Sequence, residues 1–221
     1  LRKFIHEQFR WAGVSPEDID TGAVIMTGVA LMQRNARAIG DLFSLETGNF
    51  VSVSAGDRLE AALSAFGSGA VTNSQLTGAT IMNIDIGGGT TKISICRNGK
   101  IMGVTALEIG ARLISWDQNW EIRRLDKTVE YFAEKVGANL SIGSKGSKNK
   151  IEEIASQMTE VLFAVISQQK LEDEIKNLHR IPPLDWRGPI DAITFSGGVA
   201  EYFYGFGSPH QTDMGPIIAE S

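Results

Sequence analysis

Residues 79–108 are the stretch that most restricts how this chain can fold. "ATIMNIDI", "TTKISICR" and "KIMGVTALE" follow one another as three apolar, β-branched runs. In the second, Thr91, Ile93 and Ile95 alternate with Lys92, Ser94 and Cys96, which is the period of a strand and not of a helix. Asn98-Gly99 joins the last two runs, a dipeptide suited to a two-residue hairpin because both positions tolerate positive φ. Gly87, Gly88 and Gly89 join the first two, so this glycine run is expected to be a tight bend between strands.

That context excludes two familiar phosphate loops. A Walker loop needs four residues between Gly and Gly-Lys-Ser/Thr, and a dinucleotide fingerprint reads G-x-G-x-x-G at a helix start; "GGGTTK" has neither spacing. The three glycines instead strip side chains from a bend whose consecutive N–H groups can form an anion nest, to which the Thr90 and Thr91 hydroxyls can add. Asp85, inside the preceding apolar run, would be costly as an unpaired buried anion. Beside a phosphate-bound Mg²⁺ its charge is stabilised, directly or through metal-bound water. The plain alternative is an ordinary Gly-rich turn whose amides Asp85 accepts. Further on, "AITFSGGVAEYF" reads as a strand, then Ser196-Gly197-Gly198, then a helix from Val199. Adjacent glycines there let a ligand lie on the backbone near unpaired helix N-terminal donors, although a plain strand-to-helix turn fits as well.

The other elements arrange these motifs. Phe4, Ile5, Gln8, Phe9 and Ala12 mark an opening helix, and "GAVIMTG" a buried strand. Val29, Met32, Ala36 and Ile39 form a helical stripe, "FVSVSAG" is a second strand, and "DRLEAALSAFG" a helix begun by Asp57 as cap and ended by Gly67. Residues 1–69 therefore read α-β-α-β-α, with a parallel sheet segment. A second domain is expected over 79–221, with a helix near 126–137, a long helix from about Ile151 and a strand after Pro182-Pro183. The chain opens without Met in a helical pattern and closes on "DMGPIIAES", where Asp213 can cap a short helix. Both ends are expected to be cut from a longer protein.

Composition narrows the function classes. With 221 residues, 43% of them hydrophobic, the chain can bury a sizeable core. The 21 basic and 26 acidic side chains leave a net charge of −5, which offers no broad cationic surface for nucleic acid or anionic lipid. Cys96 is the single cysteine, so no internal disulfide or zinc-type cluster is available, and it reads as an inert core thiol. His6, His179 and His210 are too scattered for a metal site. Lys145, Lys148 and Lys150 read as a solvated loop, and Trp116 with Trp120 as packing. No apolar stretch reaches membrane-spanning length, and a cytoplasmic protein is expected.

"IDIGGGTTKISI" followed by "ITFSGGVAEYF" resembles the second phosphate motif and the adenosine motif of the actin, Hsp70 and sugar-kinase superfamily of ATPases. "EAALSAFGSG", residues 60–69, resembles the connecting helix of that superfamily. The resemblance implies an α/β, actin-like (ribonuclease H-like) fold, with the end of a first lobe and most of a second closing on one nucleotide. It implies that Glu60 positions the attacking water. It further implies that Asp85, Gly87, Gly88, Gly89, Thr90, Thr91 and Lys92 grip phosphate and Mg²⁺, and that Ser196, Gly197, Gly198 and Val199 hold adenosine. More narrowly, "TGVALMQRNARAI", "VSVSAGDRLEAALSAFGSGA", "NIDIGGGTTKISICRNGKIMGVTALEIGARLI" and "DMGPIIAES" resemble the ethanolamine-utilisation EutA family, reactivating factors of ethanolamine ammonia-lyase.

That family resemblance implies an ATP-dependent chaperone with ATP and Mg²⁺ as cofactors and ethanolamine ammonia-lyase as partner, which loosens the lyase so that damaged cobalamin leaves and adenosylcobalamin enters. It also implies a cytoplasmic location in association with a bacterial microcompartment. A small-molecule kinase or a nucleotide-dependent scaffold of the same superfamily are the alternatives. Three departures stand out: no Asp-x-Gly-Thr-Thr hairpin occurs among these residues, Ala111 stands where a second glycine is expected, and the chain is expected to end early. ATP turnover by these 221 residues alone is accordingly expected to be impaired or absent.

Overall fold

The structure, a computed structural model, describes residues 2–27, 50–169, 175–207 and 212–221. The chain divides into two compact units, Leu1–Gly56 and Asp57–Ser221.

The first unit contains helix α1 (Arg2–Ala12) and strands β1 (Gly22–Thr27) and β2 (Phe50–Ala55). The two strands pair in parallel from Gly22↔Phe50 to Thr27↔Ala55, as expected of strands joined by a crossover. The helix expected around Val29–Ile39 lies outside the described residues.

The second unit begins with helices α2 (Asp57–Gly67) and α3 (Ala70–Thr77), then runs through β3 (Thr80–Ile86), β4 (Thr91–Arg97) and β5 (Lys100–Leu107). A small hairpin, β6 (Ile114–Trp116) and β7 (Ile122–Leu125), precedes α4 (Lys127–Lys135) and α5 (Lys148–Ile166). The short strand β8 (His179–Ile181), β9 (Ala192–Ser196), α6 (Gly198–Phe203) and α7 (Gly215–Glu220) complete the unit. One sheet in the order β8-β5-β4-β3-β9 organises it, antiparallel except where β9 lies parallel to β3. The β4–β5 hairpin turns at Asn98 and Gly99, with φ of 50° and 74°, the left-handed pair expected of that dipeptide.

The two faces of this sheet are chemically different. Met82, Ile84, Ile86, Ile93 and Ile95 share one buried cluster with Ile151, Ile154 and Met158 of α5. Each such side chain contributes about 1.5–3 kcal/mol of burial free energy, so this face is the principal source of cohesion. The alternate residues of β3 and β4 include Asn83, Asp85, Lys92 and Ser94, and α2 lies on that face. Ala61 and Ala65 are fully buried there, and the Ser94 hydroxyl donates to the Ala61 carbonyl at 2.9 Å. Small residues thus bring α2 close to the sheet.

With this contact, the helix 57–67, which the sequence reading groups with residues 1–69, packs within the second unit. Asp57 lies in the first turn of that helix, and its carboxylate accepts Arg180 Nε at 2.9 and 3.0 Å. The structure also adds elements not expected from sequence: α3, the β6–β7 hairpin and β8. Trp116 is buried and stacks on Trp120 with centroids 5.0 Å apart, which is packing as anticipated.

Candidate functional site

Two turns meet at the end of β3. The first, 87–89, follows β3 directly; the second, 197–198, follows β9, whose Ser196 pairs with Asp85 in the parallel register. Gly87, Gly88, Gly198 and Val199 line one cleft of about 310 Å³, completed by residues that include Arg112 and Asp213. The cleft therefore brings together parts of both glycine motifs. A second cavity, of about 330 Å³, is walled mainly by apolar residues such as Phe163, Phe195, Phe203 and Ile218, and has little with which to orient a polar ligand.

The 87–89 bend is held from behind. Gly87 N donates to Thr90 O at 3.0 Å, while Ala111 N and Arg112 N donate to the Gly87 and Gly88 carbonyls at 3.0 and 2.6 Å. With the carbonyls fixed in this way, the remaining donors are left over. Among the described residues, no acceptor meets the Gly88, Gly89 or Thr90 amide. Gly88 is exposed, so the bend is not walled off by side chains. Successive free amides of this kind attract an anion. Gly110 makes the support possible: a Cβ there would lie 2.6 Å from Gly89 C and Thr90 N. Sequence reasoning did not single out Gly110, although Ala111 beside it was noted.

The predicted threonines and lysine divide between the two faces of β4. Thr91 is fully buried, and its hydroxyl donates to the Ile109 carbonyl at 2.8 Å, so the phosphate contact expected of that hydroxyl is replaced by a structural one. Its phase with Ile93 and Ile95 was the signal for this. Thr90 is partly exposed at the bend and meets Lys92 through its hydroxyl. Lys92 does not line the cleft; its side chain is 3% exposed and Nζ lies 2.5 Å from Glu60 Oε1. The expected Lys92 grip on phosphate thus gives way to an ion pair with the predicted water-positioning residue. The other Glu60 oxygen, Oε2, is buried without a hydrogen-bond partner.

Asp85 stands across the sheet from Lys92 on one side and Ser196 on the other. Burial pushes its carboxyl above the usual carboxylate range, and the nearby Glu60 charge adds to this; Lys92 and hydrogen bonding to Ser196 and Ser64 pull it back down. The same polar face continues through Asn83, whose amide donates to Ser196 Oγ at 3.1 Å and accepts from Thr194 Oγ1 at 2.9 Å. Gly197 closes against Asp85, with φ of 81° and no space for a Cβ. Val199 turns its side chain into the core, leaving the start of α6 to face the cleft.

Arg112, which sequence reasoning also missed, and Asp213, read there only as a helix cap, pair across the cleft wall at 2.9 Å. Asp213 accepts the Gly215 amide at 2.9 Å as well, so it helps fix the start of α7, the short helix expected there. No local pattern marks this pair, which the fold brings together from distant segments. Among the described residues, no group of three or more His, Cys, Asp or Glu side chains is arranged to hold a metal ion.

The sequence model of the family described as "Ethanolamine utilisation protein EutA" matches residues 1–221. The chain belongs to the EutA family. It is 33% identical to the ethanolamine ammonia-lyase reactivase EutA of Escherichia coli (strain K12), over 99% of this chain and 47% of that protein. The EutA of Salmonella typhimurium (strain LT2) is 30% identical, again over 99% of this chain and 47% of the relative. This member of the EutA family thus spans about half the length of the curated relatives it matches. Among solved structures, it is similar to an exopolyphosphatase-like protein, 16% identical, with a TM-score of 0.48 over 82% of this chain and 45% of that one.

Proposed function

We propose that the cleft between the two glycine turns binds ATP, and that the protein is an ATP-dependent reactivase of ethanolamine ammonia-lyase. The observation that carries the reading is that Gly87 and Gly88 of the first glycine turn and Gly198 and Val199 after the second line one cleft, beside the unpartnered amides of 88–90. The Gly88, Gly89 and Thr90 amides hold phosphate oxygens, with Arg112 supplying charge from the rim. The bare backbone of Gly197, Gly198 and Val199 seats the adenosine. Asp85, at the end of β3 beside the bend, would be the residue to hold Mg²⁺, an ion that binds through one or two carboxylates and retains several waters. When bound, the ion neutralises phosphate charge. Glu60 orients the attacking water.

Loss of the γ-phosphate then removes contacts that favour one conformation, and a partner with unequal affinity for the two conformations is driven by that shift. That partner is ethanolamine ammonia-lyase, whose damaged cobalamin is exchanged for adenosylcobalamin. The work takes place in the cytoplasm, in association with a bacterial microcompartment. The test uses the complete polypeptide carrying this sequence, with lyase blocked by cyanocobalamin, ATP, Mg²⁺ and adenosylcobalamin. Recovery of ethanolamine deamination that requires ATP supports the reading. No recovery overturns it, and ATP consumption that instead depends on an added alcohol identifies a kinase.

A further inference from the structure

We infer that Lys92 is a positioning residue that sets the Glu60 carboxylate for water activation, and does not itself hold phosphate. The inference rests on the ATPase reading above and assigns a role within the same site. Three observations lead to it. Lys92 is 3% exposed, and its ammonium is turned to Glu60 and not into the cleft, whose wall neither residue forms. Its Nζ lies 2.5 Å from Glu60 Oε1 and also meets the Thr90 hydroxyl, at the edge of the glycine bend. Glu60 Oε2 is buried and lacks a donor.

Together these define a directed carboxylate. Oε1 is held by the ammonium, so rotation of the carboxylate is restrained and Oε2 is the oxygen left to accept a new hydrogen bond. A buried acceptor without a donor is unfavourable, and a water arriving with the nucleotide relieves that cost. The Thr90 contact ties this geometry to the bend, since Thr90 also contributes one of the unpartnered amides. The ammonium has a second effect. Asp85 lies directly across the strand pair, and the Lys92 cation offsets the repulsion between the Asp85 and Glu60 carboxylates.

The experiment compares the complete wild-type polypeptide with Lys92→Met, Lys92→Arg, Glu60→Gln and the Glu60→Gln/Lys92→Met double variant. ATP and ADP affinities are measured by calorimetry without magnesium, and kcat and KM for ATP with it, below each variant's melting temperature. A positioning role predicts that Lys92→Met lowers kcat about 10²-fold, the effect of a small misplacement of a reacting group, while ATP affinity and KM stay within about twofold. Lys92→Arg recovers part of kcat. The double variant turns over no more slowly than Glu60→Gln, because the two residues act as one unit. Weakened ATP binding with kcat intact overturns the inference in favour of a phosphate contact. A lowered melting temperature with kcat and affinity both intact overturns it in favour of a purely structural pair. Multiplicative losses in the double variant also overturn it. A wild-type protein that fails to bind ATP sinks the ATPase reading itself, and this inference with it.

Discussion

A Cβ on Gly197 would lie 2.5 Å from Asp85 Oδ1 and equally close to the Ile86 carbonyl oxygen. The turn after β9 and the end of β3 therefore leave no room for any side chain between them. The Gly197 backbone, at φ 81° and ψ 177°, is also in a region that is essentially confined to glycine and costs other residues about 1–3 kcal/mol. Gly197→Ala is expected to lower the unfolding free energy by at least about that range and to abolish ATP binding. Urea denaturation and calorimetry check both; unchanged values in the two measurements would mean that the turns do not depend on this close approach.

Asp85 is held above its ordinary titration range chiefly by burial. A carboxyl whose folded pKa is raised retains its proton while the unfolded chain releases one, so its contribution to stability declines as pH rises from the unfolded value through the folded one. Asp85→Asn removes this charge. The variant is expected to melt above wild type at pH 7 in magnesium-free buffer, with the difference shrinking as the pH is lowered below the carboxylate range. Thermal melts between pH 3 and pH 8 read the trend, and a difference that grows toward acid would contradict it.

The Glu60–Lys92 pair is buried on the lysine side and largely shielded on the other, with side-chain exposures of 3% and 21%. Removing one member of such a pair leaves the other uncompensated and costs about 3 kcal/mol. Lys92→Met is expected to lose about that much in urea denaturation. A cycle with Glu60→Gln should yield a coupling energy between about 0.5 and 3 kcal/mol. Additive single effects would show that the two groups are not paired in solution.

Cys96 is fully buried, and burial pushes its thiol up to about 11. The thiolate is the reactive form, so both access and ionisation oppose modification of the native protein. Iodoacetamide at pH 8 is expected to label Cys96 only after denaturant is added, as read by intact mass. Rapid labelling of the native chain would place the β4 face in contact with solvent.

Much of the second unit's frame was legible because its signals are local. Alternation over 91–96 and the Asn98-Gly99 step specify β4, its turn and the start of β5 without reference to the rest of the chain. The stripe from Ile151 to Ile166 specifies α5 in the same way, and these positions are largely buried in the structure. Less was legible in α3, where Ala70–Thr77 carries small and polar residues with no apolar stripe, and in β6, β7 and β8, which are too short for periodicity to register. At the site, Gly110 and Arg112 escaped notice, and Asp213 was legible only as a helix cap, because what defines their place in the site is contact with distant segments: Gly110 with the 87–89 bend, Arg112 with Asp213.

Sequence alone determined that an aspartate and a side-chain-free bend stand together at a strand end, since strand period and glycine backbone freedom are properties of adjacent residues. It also carried the resemblance to the EutA family, which the match over residues 1–221 establishes. Tertiary structure decided what each neighbour of the bend does. Packing the Ile93–Ile95 face against the core turned Thr91 inward to Ile109, and docking α2 through Ala61 and Ala65 set Glu60 over Lys92. The physical reason is that a strand fixes which residues share a face, whereas the partner that covers a face is chosen by burial over the whole unit.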